Sequence, residues 1–164
     1  MMRAPLAPVA LCGLMLAASP SEAQFLRDAL QARELVCEFG EGYRHDVVAG
    51  LAVPRTGNLL VIYEAVTAES AEALSTQRPG RRPVRVRATD DAVHFIEPIG
   101  RSVRVTTLTA CERWKARRGR EMCVRFTARH AWHFDTLAHL RPRDSFASQP
   151  SGAQAGACEP WSVD

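Results

Sequence analysis

From Leu35 onward the chain is cut into short runs rich in Val, Ile, Thr and Phe, with a turn signal after almost every one. Candidate strands are Leu35–Phe39, Leu59–Val66, Val84–Ala88, Ala92–Glu97, Ser102–Thr109 and Met122–His130, with weaker ones near Arg44–Ala49 and at the C-terminal end. Pro54–Asn58, Arg78–Pro83, Thr89–Asp91 and Pro98–Gly100 supply the turns. Regular short strands spaced this way predict a mainly all-β domain, a single small antiparallel β-barrel or sandwich. Gln24–Glu34 reads as a short amphipathic helix or a frayed arm, and Thr67–Ser75 as a helical turn or a loop. No internal repeat is visible.

Residues 1–23 read as a cleaved signal peptide. Arg3 gives the basic start, Leu6 to Ala18 is the apolar run, and Ser21-Glu22-Ala23 has small residues where a signal peptidase reads. The run is too short to span a bilayer and no second candidate follows, so the mature chain is expected to lack a transmembrane segment. Leu11 before Cys12 is too bulky for a lipobox. The expected location is periplasmic or secreted, with residues 24–164 forming one domain.

Cys12 leaves with the signal, which keeps Cys37, Cys111, Cys123 and Cys158 in the mature chain. Four cysteines in an exported chain read as two disulfides, with three possible pairings. Cys111–Cys123 is favoured because the two flank one hairpin, and Cys37–Cys158 because it ties the first strand to the tail. A zinc–cysteine site is disfavoured, since no CxxC pair exists and the compartment oxidises thiols.

Two hairpins carry register expectations. Pro98-Ile99-Gly100 suits a three-residue loop that sets Glu97 opposite Arg101, Phe95 opposite Val103 and Val93 opposite Val105. Cys111 directly opposite Cys123 would place Leu108 and Phe126 on the other face. A β-bulge near Thr106–Thr109, or a diagonal disulfide, is needed to reconcile the two, and a bulge is expected.

Val93-His94-Phe95-Ile96-Glu97, Val103 to Leu108, Phe126 to His130, Cys37-Glu38-Phe39 and the closing Gly156-Ala157-Cys158 resemble a family of small exported proteobacterial β-rich proteins. That family has a Cys-x-Phe start, an HFIE/TT strand pair, an Arg-His strand and a C-terminal Gly-x-Cys. The resemblance implies an exported β domain and no assigned activity. Thr127 and Ala128 depart from its serine-arginine-histidine run, and the Cys111/Cys123 pair reads as a local addition.

Catalytic patterns are sparse. There is no Gly-x-Ser-x-Gly elbow. Ser145 and Ser148 lie in a Pro/Ser-rich stretch, and Asp90-Asp91 sits in a turn where Asp has a structural reason to be. His130, His133 and His139, with Asp135, are the weak metal candidates, at a spacing with no HExxH. The expectation is a protein that is not an enzyme, with no cofactor.

Charge placement is the sharper clue. The mature chain has 20 basic against 17 acidic residues, and only Lys115 is Lys. Glu112–Glu121 concentrates Arg113, Lys115, Arg117, Arg118 and Arg120 around Trp114, expected as a loop held by the Cys111–Cys123 bridge. Alternation places Arg85, Arg87, Arg104, Arg125 and Arg129 on one outer face with His94. Together these predict contacts with an anionic envelope component or an acidic protein. Nucleic acid is not expected, for want of a stacking platform. The alternative is a barrel holding a small apolar ligand, suggested by Leu59-Leu60-Val61-Ile62, apolar on both faces.

Overall fold

Eight staves close into an antiparallel barrel because the first strand and the last pair with each other. The computed structural model describes residues 20–46, 51–100, 102–117, 119–133 and 151–161. One helix, α1 (Pro20–Gln31), precedes β1 (Leu35–Asp46), β2 (Leu51–Arg55), β3 (Leu59–Glu64), β4 (Ser70–Ser75), β5 (Arg78–Ala88), β6 (Val93–Ile99), β7 (Ser102–Arg117), β8 (Arg120–His133) and β9 (Gly152–Pro160). Each strand pairs with the next, except that β2 and β3 follow one another along a single edge of β1 and act as one stave. The result is a closed up-and-down meander, the barrel of the two expected architectures.

Period-two burial builds the interior. Leu35, Cys37 and Phe39 of β1 point inward, as do Leu59, Val61 and Tyr63 of β3 and Val93 and Phe95 of β6. Leu60 and Ile62, read as facing a second apolar environment, are instead half-buried on the outside. The stretch Thr67–Ser75 is strand, not helical turn or loop, from Ser70 on. Ala71 and Ala73 face the core while Glu72 is exposed, a period of two that the Ala/Glu composition concealed. Arg78–Pro83 is likewise strand rather than turn, and Arg82, Val84 and Val86 share its inner parity.

The turn after β6 corrects the first register expectation. Ile99 pairs with Ser102, so the loop has two residues rather than three, with Gly100 in the left-handed region at φ 58°. The register moves by three residues, an odd number, and every β7 side chain changes face. Phe95 meets Thr106 instead of Val103, Val93 meets Leu108 instead of Val105, and Glu97 meets Arg104 instead of Arg101. Leu108 and Phe126 then both point inward with no switch of face. A register shift does occur, between Leu108 and Ala110. Cys111 pairs with Phe126 and Cys123 with Trp114, so the second disulfide joins diagonal positions.

Both disulfide pairings are as favoured. Cys37 and Cys158 face each other directly across β1 and β9, Cα atoms 4.0 Å apart, and Cys111–Cys123 spans 5.8 Å. Glycine makes the β1–β9 seam possible. A Cβ on Gly156 would lie 1.9 Å from the Glu38 carbonyl oxygen, so only hydrogen fits between the strands there.

Helix α1 closes the end of the barrel where β1 begins. Phe25, Asp28 and Ala29, one face of the helix, are buried, and the Phe25 ring centroid lies 5.9 Å from that of Phe126. Asp28 fastens it, accepting from Arg120 at 2.7 Å and from the Cys123 N–H at 2.9 Å. Among the described residues no helix is long and apolar enough to cross a membrane.

Candidate functional site

The interior changes character along the barrel axis. Toward α1 it is filled by Leu35, Leu108 and Phe126, and at mid-height by Phe39, Phe95 and Tyr63. The Tyr63 and Phe95 rings stack with centroids 4.3 Å apart. Beyond them, where β1, β6 and β8 end, the inward positions become polar: Glu97, Thr106, His130 and Gln154, all buried.

Arginines gather around Glu97. Its carboxylate accepts from Arg82 Nε at 2.5 Å and lies 3.9 Å from Arg78. Arg82 also donates to the carbonyls of Arg78 and Gly80 and to Ser75 Oγ, which engages four of its five N–H groups. Arg104, opposite Glu97, is half-buried. Burial lowers its pKa from the ordinary arginine value, and the fields of Arg78, Arg82 and Arg55 act the same way against that of Glu97. Arg55 stacks its guanidinium 4.7 Å from the centre of the Trp132 ring. Among the described residues neither Arg55 nor Arg104 is ion-paired. Arg82 and Arg78 thus take up the Glu97 carboxylate while Arg104, opposite it, and Arg55 pair with no carboxylate among the described residues, an arrangement suited to an anion with two or more oxygens.

Neutral polar groups form the floor. Tyr63 donates to Thr106 Oγ1 at 2.6 Å, and Thr106 Oγ1 lies 2.8 Å from His130 Nδ1. Burial is the main cause of a raised Tyr63 pKa, so the phenol stays protonated. Gln154, beside His130, donates its amide to the carbonyls of Gly40 and Gly57 at 2.8 and 3.1 Å. Its Oε1 is buried without a hydrogen-bond partner among the described residues.

The residues singled out from sequence are distributed differently from the expectation. Arg104 lies on the inner face, not the outer one, because of the flipped β7 register. Arg85 and Arg87 are exposed on β5, while Arg125 and Arg129 lie three strands away on β8, roughly 14 Å around the barrel wall. Arg125 is tied to Glu112 at 2.8 Å and Glu159 at 2.5 Å, Arg113 reaches Glu159 at 3.2 Å, and Arg129 donates to Tyr43 Oη. Residues 112–117 and 120–121 are strand rather than loop, and Trp114 packs against the core instead of tipping a loop. Lys115 and Arg117 line a cavity beside α1. Arg118 lies outside the described residues.

The histidines do not converge. His130 is buried inward and His133 is exposed, three residues apart on one strand and so on opposite faces. His139, Asp135, Ser145 and Ser148 lie outside the described residues. Among the described residues no three metal-capable side chains cluster.

Sequence reasoning missed Arg55, Arg78 and Arg82 as site residues. The parity of Val84 and Val86, carried back two residues, would have pointed Arg82 inward. No protein-family model, curated protein or solved structure matches the chain.

Proposed function

We propose that this is an exported, non-enzymatic binding protein of the periplasm or cell envelope, taking an anionic ligand or partner through arginine. The observation that carries this reading is Arg104: a half-buried guanidinium that faces Glu97 but is ion-paired with no carboxylate among the described residues, within the fields of three further arginines. A desolvated cation so placed raises the energy of the empty site, and a bound carboxylate or phosphate relieves it. Export is supported by the signal-like residues 1–23, by the two disulfides and by the resemblance to exported β-rich proteins. The barrel interior next to α1 is filled by side chains such as Leu35, Phe126 and Leu108, which favours this reading over an enclosed apolar ligand.

Calorimetric titration of the mature protein with inorganic phosphate, citrate and phosphatidylglycerol vesicles tests the proposal. Binding of at least one probe is expected, with loss in Arg104→Gln. Affinity for none of them, or equal affinity in the variant, would sink it.

A further inference from the structure

The β7–β8 hairpin runs on past the barrel wall, since β6 reaches β7 only as far as Leu108 and β9 reaches β8 only as far as Phe126. Between this overhang and the last turn of α1 lies a cavity of about 480 Å³. It sits at the opposite end of the barrel from Arg104. Ala32, Met122, Val124 and Pro160 give it an apolar lining, and Arg33, Lys115 and Arg117 contribute three cations. Asp28 also borders it, but both its oxygens are engaged, by Arg120 and by the Cys123 N–H. Among the described residues Glu34 is then the one lining carboxylate left to oppose the three cations.

We infer that this cavity is a second binding site, for an amphipathic anion: a short acyl chain ending in a carboxylate or phosphate. The volume falls within the roughly 300–1,000 Å³ of small-molecule sites. The chain lies on Met122, Val124 and Ala32, and the head group meets Lys115 and Arg117. Both cations come from one strand, and neither is required by the ion pairs that hold α1 in place.

The test is calorimetry on the mature protein with hexanoate, octanoate, decanoate and decyl phosphate, and decyltrimethylammonium as the cationic control. Affinity should rise roughly fourfold per added methylene as more chain is buried. Lys115→Gln combined with Arg117→Gln should weaken decanoate by about tenfold or more, with both proteins compared in an Arg104→Gln background so that the first site takes no part. Decanoate against decyl phosphate tells a fatty acid from a phosphate head group. The double variant changes surface side chains only, and its melting curve checks that it is folded. No binding of decanoate or decyl phosphate would overturn the inference. So would equal affinity for the cationic control, or a folded double variant that binds as its Arg104→Gln parent does.

Discussion

Thr106 Oγ1 and His130 Nδ1 lie 2.8 Å apart across the β7–β8 ladder, and Tyr63 donates to the same threonine oxygen. The ring is neutral at pH 7, because burial lowers its pKa to about 4, and a neutral imidazole with its hydrogen on Nε2 would take the threonine proton at Nδ1. One tyrosine, one threonine and one histidine from three strands therefore form a linked floor to the polar end of the barrel.

This floor makes stability depend on pH. Burial, then the fields of Arg104 and Arg55, lower the His130 pKa from 6.5 to about 4. The unfolded chain gains the proton near pH 6.5 and the folded chain only near pH 4. Stability is therefore complete above that window and falls as pH drops through it, by about 3 kcal/mol in total. Thermal melts between pH 7.5 and 4 should show this loss in the wild type. His130→Gln should be less stable at neutral pH but flatter across the window, and an unchanged slope would refute the assignment.

Glu97 and Arg104 should respond in opposite directions. Glu97→Gln leaves Arg82 and its neighbours without their shared carboxylate and is expected to cost about 3 kcal/mol, partly recovered on adding citrate or phosphate. Arg104→Met removes an unpaired cation and should leave the melting temperature unchanged or raised while abolishing anion binding. Denaturant melts with and without ligand check both, and a strongly destabilised Arg104→Met would show the guanidinium to be structural.

Arg120 belongs to the fold rather than to a free basic surface. Its pairing with Asp28 holds α1 against β8, and Asp28 is almost fully buried. Neutralising Arg117, Arg118 and Arg120 together would therefore leave a buried carboxylate uncompensated. Arg120→Gln alone should cost about 2 kcal/mol, and Asp28→Ala more, because the Cys123 N–H also loses its acceptor. Hydrogen exchange in α1 should quicken in both, and undisturbed protection would contradict the role.

The two disulfides should differ in weight. On the chain-entropy argument, the bridge spanning 121 residues is worth about 5 kcal/mol and the bridge spanning 12 about 3. Urea titrations of Cys37→Ser/Cys158→Ser and Cys111→Ser/Cys123→Ser proteins measure both, and equal losses would tell against this ordering.

Much of the barrel was readable from residue 35 on, because apolar residues alternate with polar ones along much of β6 and β8 and because β3 is a short apolar run followed by polar residues. The two cysteine pairs were readable for a different reason, since one flanks a hairpin and the other joins the ends of the fold. Strand β4 was not, because Ala71 and Ala73 face inward and Glu72 and Leu74 outward, a composition shared with helices. The arginine site was hidden by one turn. Whether Gly100 closes a two- or a three-residue loop decides whether Arg104 faces solvent or Glu97, and local composition permits both. Gln154 was out of reach because its position depends on β1 pairing with β9, more than a hundred residues apart, and Arg55 because Pro54–Asn58 reads as a turn although Pro54 and Arg55 end β2, opposite Tyr43 and Gly42.

That pairing of first and last strands also orders the assembly of the molecule. A chain that emerges from its N-terminus presents Cys37 long before Cys158, and Cys111 and Cys123 come out in between. Until β9 arrives, β1 has one unpaired edge, and its thiol can meet only the wrong partners. Oxidation that outruns synthesis would trap Cys37 with Cys111 or Cys123 and leave the barrel unclosed, so correct folding calls for thiol exchange after the last strand is in place.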